Sequence, residues 1–185
     1  MSDYEFTADH FSHNIPNWKI WFSRCNYNAV NLLEIGSFEG RSTVWFCENA
    51  LQHPDSAIVC VDPWSAPKTD VNLATDNVIY ERFMRNVSRF GKKVKPIIGN
   101  SRDVLKNLPH NYFDAVYIDG DHESHGVLED GVLAFPLVRI GGVMIFDDFC
   151  GPTVRCGVES FVSAYSKKVK VVYAVGQLVA EKIAL

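Results

Sequence analysis

The chain has 185 residues, 47% hydrophobic and 12% aromatic, which is enough for one domain spanning 1–185 with a substantial core and too few for a second. Eighteen Lys and Arg against 22 Asp and Glu leave a net charge of −4, and valine interrupts the basic runs at 92–95 and 167–170, so a broad basic face for nucleic acid is not expected. No apolar run approaches the roughly 20 residues of a membrane span, the start lacks a signal-peptide pattern, and the five cysteines are odd in number and scattered; a cytoplasmic protein that does not enter a membrane is expected.

Residues 1–28 read as a helical N-terminal extension, with Ile15, Trp18 and Phe22 on one helical face and Ser12 or Asn14 able to cap its start. Such a face packs on a sheet, or else forms a lid or a homodimer contact over a ligand. His10 and His13 lack the two further donors that a metal site requires. Residues 31–42 then carry the most information. Leu32, Leu33 and Ile35 suit a buried parallel strand, Gly36 and Gly40 allow close backbone approach, and Ser42, Thr43 and Val44 open a helix. The spacing is neither G-x-G-x-x-G nor a P-loop. A carboxylate at the strand end, Glu34, repels phosphate but suits a sulfonium, an ammonium or ribose hydroxyls. Glu34, Gly36, Ser37, Phe38, Gly40 and Ser42 are therefore candidate cofactor contacts.

Further strands are expected at 57–61, 94–98, 113–118 and 142–146. Helical spacing lies between them, at Val71, Ala74, Val78 and Val87 and again over 128–138. Another helix opens after Pro152 and Thr153 and carries Val154, Val158, Phe161, Val162 and Tyr165. Alternation at 169–173, a turn at Gly176 and a return over 177–183 predict a terminal hairpin. The fold class that follows is α/β: a doubly wound, mostly parallel seven-stranded sheet with an antiparallel C-terminal hairpin. Cys47 and Cys60 fall in apolar segments and read as core.

Asp62 ends the second strand, where an acid takes ribose hydroxyls in open α/β folds. Trp64 suits either an adenine cover or the core. Asn100 and Ser101 end the third strand with donors and acceptors for an adenine edge, and Ser101 also suits a helix cap. Strands four and five end in Asp119-Gly120-Asp121-His122-Glu123 and Asp147-Asp148, whose acids converge if the two strands are neighbours. Converging carboxylates repel unless a cation neutralises them; Asp119, Asp147 and Asp148 would make an oxygen site for Mg²⁺. The same acids equally suit turns and helix caps.

The loop Glu-Ile-Gly-Ser-Phe-Glu-Gly at 34–40 resembles the acid-x-Gly-x-x-x-Gly of class I S-adenosylmethionine-dependent methyltransferases. Ile-Asp-Gly-Asp-His together with Gly-Gly-Val-Met-Ile-Phe-Asp-Asp is similar to a subfamily of small methyltransferases that includes macrolide-sugar O-methyltransferases and, more distantly, the catechol type. The likeness covers roughly residues 30–150. It implies S-adenosyl-L-methionine as cofactor, a small-molecule hydroxyl as acceptor, and in several members Mg²⁺ on the acids matching Asp119, Asp147 and Asp148. It also implies an acceptor pocket built from the N-terminal extension and the loops at 64–70 and 149–155. The catechol type has a lysine about where Glu123 stands, so lysine-assisted deprotonation does not carry over. His122 is then the expected base, with His125 second, beside Asp119 at the sulfonium. The rival readings are a nicotinamide-dependent oxidoreductase and a cofactor-binding protein of this fold without methyl transfer.

Overall fold

The computed structural model describes residues 4–22, 28–64 and 76–185. Val71, Ala74, Cys25 and the 65–70 part of the expected acceptor loop lie outside the described residues. Seven strands form one sheet: β1 (Asn31–Ile35), β2 (Ala57–Asp62), β3 (Val94–Ile98), β4 (Phe113–Ile118), β5 (Val138–Phe146), β6 (Val169–Val175) and β7 (Gln177–Lys182). The helices are α1 (Ile15–Phe22), α2 (Arg41–Asn49), α3 (Asp76–Val87), α4 (Ser101–Val104), α5 (Ser124–Ala134) and α6 (Pro152–Ala164). Strand order is β3-β2-β1-β4-β5-β7-β6, parallel from β3 to β5, with β7 antiparallel to both neighbours.

β1 lies mid-sheet, and Leu32 to Ile35 are all buried there, which is why its sequence reads as nearly continuous apolar residues. Side-chain alternation sends Leu32, Cys60 and Tyr117 into one core with Trp18, Phe22 and Phe46. Leu33, Ile118 and Phe146 go into the other with Val127 of α5 and Phe161 of α6. Trp18 stacks on Phe22 at 5.6 Å and meets Tyr117 edge-on at 4.7 Å, so the extension is held by its expected apolar face. Cys47 and Cys60 are buried thiols, as their apolar surroundings imply.

Local expectations about helix bounds and caps are corrected. The helical spacing over 128–138 spans two elements, because α5 stops at Ala134 and Val138 opens β5 opposite Phe113. Pro136 cannot continue the helix, and the apolar residues beyond it are core positions of a strand. Lys182 closes this end from β7: buried, it donates to the carbonyls of Phe135 at 3.0 Å and Val138 at 2.7 Å. A 3-10 turn over Ser12–Asn14 leads into α1; it opens from Phe11, with no side-chain capping bond, and the Asn14 amide nitrogen donates to Asp147. Ser101 is the first residue of α4 after Asn100, and neither makes a side-chain capping bond there.

The order in which successive strands are added to the sheet reverses between β1 and β4, the place where open α/β sheets leave a crevice at the strand ends. Ile35 pairs with Val61 on one side and Ile118 on the other, and Ile118 pairs with Phe146. The segments that follow these four residues are thereby set side by side.

Candidate active site

Above those strand ends lies a cavity of about 920 Å³. Gly36, Ser37, Phe38, Ser42, Asp62, Trp64, Asn100, Ser101 and Asp119 all line it, as do His122 and Asp148. Glu34 and Gly40 are not among the lining residues. Glu34 is fully buried and accepts hydrogen bonds from the hydroxyls of Ser37, Ser42 and Thr43, so it ties the loop to the start of α2. Burial pushes its carboxyl above the ordinary range, with the hydroxyls opposing. Gly40 is the left-handed residue that leads into α2, backed by Phe83.

Gly36 is required twice over. Its φ is +85°, and a Cβ there would lie 2.0 Å from the Asp119 carbonyl oxygen. The loops after β1 and β4 are therefore in backbone contact, with Asp119 N donating to Ile35 O at 2.8 Å. Asp62 organises the neighbouring side: one oxygen accepts the N–H groups of Ser37 at 2.8 Å and Phe38 at 2.9 Å, the other that of Trp64 at 2.6 Å. A carboxylate has about four acceptor sites, so lone-pair capacity remains toward the cavity. Trp64 is both wall and core; it is buried against Tyr80 and Phe83, and its Nε1 donates to Phe38 O at 2.8 Å. Phe38, Trp64 and Asp148 all have positive φ, three of the four non-glycine residues that do among those described. Backbone strain is thus concentrated at the cavity.

Asp130 was not singled out in the sequence. It lies on α5, buried, and lines the cavity beside the Asn100–Ser101 end. Burial raises its pKa to about 6, against opposing hydrogen bonds from Ser101 and the Asp121 backbone. The available signal was a lone acid on the stripe Gly126, Val127, Asp130, Gly131 and Ala134, the buried face of α5. Gly126 is small for a reason: a Cβ there would meet the Asp121 carboxylate at 2.2 Å.

At the far end, the groups gathered are Asp119, His122 and Asp148, whose ligating atoms all lie within 4.8 Å of one another. His122 Nε2 is 3.5 Å from Asp119 and 3.2 Å from Asp148. The hydrogen bond to Asp119 and the surrounding carboxylates of Asp119, Asp148 and Asp121 hold the imidazole above its usual pKa, against partial burial. Burial pushes Asp119 up to about 7, with His122 and the Tyr117 hydroxyl opposing. His125 is exposed and absent from the lining, so the second candidate base is set aside.

Asp147, the remaining member of the expected acid trio, is also outside the lining. Its Oδ1 accepts from Asn14 at 3.0 Å, Gln177 at 3.1 Å and the Asp148 N–H at 2.9 Å. Its Oδ2 accepts from Asn14 at 3.1 Å and from the Tyr117 hydroxyl, which also lies 3.0 Å from Asp119. The gathered set of two carboxylates and an imidazole departs from the all-oxygen set that Mg²⁺ prefers, and the third carboxylate is saturated by protein donors. These residues do not fit the expected Mg²⁺ site.

One cavity wall comes from the N-terminal segment through Ala8, His10, Phe11 and His13. Thr7 fastens it, its N–H and hydroxyl donating to Glu39 at 2.6 and 2.7 Å, while Arg82 pairs with the same carboxylate. Arg41 adds a bond to Ala8 O at 3.2 Å and lies over the Phe6 ring. The expected division between a packed helix and a cover over the ligand is therefore not exclusive: α1 is core, and the segment before it walls the cavity.

Comparison with known proteins agrees with this architecture. A family model described as a methyltransferase domain matches residues 33–149. An uncharacterized protein of Acanthamoeba polyphaga mimivirus is 30% identical over 125 residues, covering 65% of this chain and 52% of that protein. A catechol O-methyltransferase of Mycobacterium tuberculosis is 30% identical over 122 residues, covering 65% and 48%. The chain thus spans about half the length of the curated relatives it matches. In three dimensions it is similar to an O-methyltransferase from Bacillus cereus solved in complex with SAH, with a TM-score of 0.70 at 19% identity, covering 96% of this chain and 84% of that one. With that match across strands β1 to β5 and the loops that bear the cavity, the chain belongs to the methyltransferase domain family, among the class I S-adenosylmethionine-dependent methyltransferases.

Proposed function

We propose that this chain transfers the methyl group of S-adenosylmethionine to a hydroxyl oxygen of a small molecule, with His122 as the base. The observation that carries the reading is one cavity with Asp62 and the Gly36 loop at one end and the His122 imidazole, flanked by Asp119 and Asp148, at the other. The names of the M. tuberculosis and B. cereus proteins support oxygen as the acceptor atom.

The bound sulfonium supplies an electrophilic methyl whose leaving group departs neutral. The protein's part is alignment and proton removal. Asp62 would accept a ribose hydroxyl with its remaining lone pair, and Asn100 with Ser101 would meet the adenine edge. As the methyl–sulfur bond breaks and the methyl–oxygen bond forms, the acceptor hydroxyl's proton would pass to the ring nitrogen of His122 that does not face the carboxylates, because Nε2 is the one turned toward Asp119 and Asp148. Asp119 and Asp148 then face an imidazolium, which they stabilise. The His122 side chain is 57% exposed, so an acceptor can reach it.

Calorimetric binding of S-adenosylhomocysteine and of NAD, followed by turnover with labelled S-adenosylmethionine on phenols, sugars and amines, tests the proposal. S-adenosylhomocysteine should bind, NAD should not, and label should appear as methyl ethers. Asp62→Ala should weaken binding by about 1.5–3 kcal/mol, the range for hydrogen bonds to a charged group. Binding of NAD alone would favour an oxidoreductase, and cofactor binding without turnover on any acceptor would favour a non-catalytic binding protein.

A further inference from the structure

We infer that protein donors replace a divalent cation in this acid cluster: Asn14 and Gln177 hold Asp147, Tyr117 links it to Asp119, and the His122 imidazole sits between Asp119 and Asp148. The methyl-transfer reading enters only through the consequence that cofactor binding and turnover proceed without metal.

An ionised carboxylate only accepts, so the Asn14 and Gln177 amides must turn nitrogen, not oxygen, toward it. Their bonds, with that of the Asp148 N–H, place three donors on Oδ1, while Asn14 and Tyr117 share Oδ2. Asn14, Tyr117, Asp147 and Gln177 are all buried. A cation taking Asp147 would have to displace the buried hydrogen-bearing groups that now donate to it. These donors also converge from three parts of the chain: the turn before α1, the end of β4 and the start of β7. That convergence is a built arrangement, and it leaves nitrogen in the shared set of Asp119, His122 and Asp148. Asn14 and Gln177 are accordingly positioning residues that act through Asp147 and Tyr117 on Asp119.

The test is a metal titration with two readouts. Thermal melting of the wild-type chain should be indifferent to Mg²⁺, Ca²⁺ and Mn²⁺. Its affinity for S-adenosylhomocysteine should agree within about twofold between EDTA and Mg²⁺. Freeing the lone pairs of Asp147 by Asn14→Ala or Gln177→Ala should create a metal-dependent rise in melting temperature, which a merely structural role would not produce. Metal stabilisation of wild type that disappears in Asp148→Asn, or a tenfold loss of affinity in EDTA, would overturn the inference. A folded Gln177→Ala that ignores metal would overturn the positioning role. If S-adenosylhomocysteine failed to bind in either buffer, the methyl-transfer reading would fall, while the melting titration would still decide the metal question.

Discussion

His122 is the residue whose environment makes the sharpest kinetic statement. Its imidazole faces Asp119, Asp121 and Asp148, which hold its pKa above the ordinary value, and a base must be neutral to act. The rate kcat/KM should therefore rise with pH along a limb whose apparent pKa exceeds about 6.5. Asp148→Asn removes one stabilising carboxylate and should move that limb to lower pH; an unmoved limb would exclude the imidazole as the titrating base. Asp130 makes a corresponding statement about stability. Its folded pKa of about 6 lies above the ordinary 3.8, so the fold prefers the protonated form. The cost of ionising it is absent below the ordinary value, grows as pH rises between the two, and is complete above the folded one. Asp130→Asn should then stabilise by up to about 3 kcal/mol at pH 8 and by almost nothing near pH 4, as read by urea unfolding at both pH values.

Among elements, the contact between the loops after β1 and β4 leaves no tolerance. Gly36→Ala must hold a left-handed conformation, which costs about 1–2 kcal/mol. It must also open the 2.0 Å overlap with the Asp119 carbonyl. The variant should melt lower and lose most affinity for S-adenosylhomocysteine, because Ser37 and Asp119 move apart; normal calorimetric binding would contradict the contact. At the opposite end of the sheet, Lys182 ties β7 to the α5–β5 connection through the carbonyls of Phe135 and Val138. Lys182→Met keeps the volume but leaves those carbonyls without their donor. A loss of about 1–3 kcal/mol in urea unfolding is expected, with cofactor affinity unchanged.

For the whole molecule, the N-terminal segment joins the two ends of the cavity, fastened by Thr7 to Glu39 near the glycine loop and by Asn14 to Asp147 near the acids. Glu39→Ala should release the first attachment, increase protease cleavage within residues 4–14 and weaken S-adenosylhomocysteine binding severalfold; an uncleaved, fully binding variant would show that the segment closes without it. Much of this was legible in the chain. Apolar runs, glycine spacing and acids at strand ends are local signals, and they specified the parallel sheet, the crevice at its switch point, and Asp62, Asn100, Ser101 and His122 beside it, because a strand end and the turn after it are set by neighbouring residues. Which way a carboxylate faces is not local. Glu34 and Asp147 looked like ligands from their positions, yet hydroxyls of α2 claim the first, and donors more than a hundred residues apart in sequence, Asn14 and Gln177, claim the second. The burial of Asp130 is not legible locally, because it depends on the loop at Gly120 that packs over its helix. Sequence alone determined the scaffold and the neighbourhood of the site; tertiary structure decided which acids face the cavity, since only the folded chain brings distant donors to a carboxylate that must be satisfied once it leaves water.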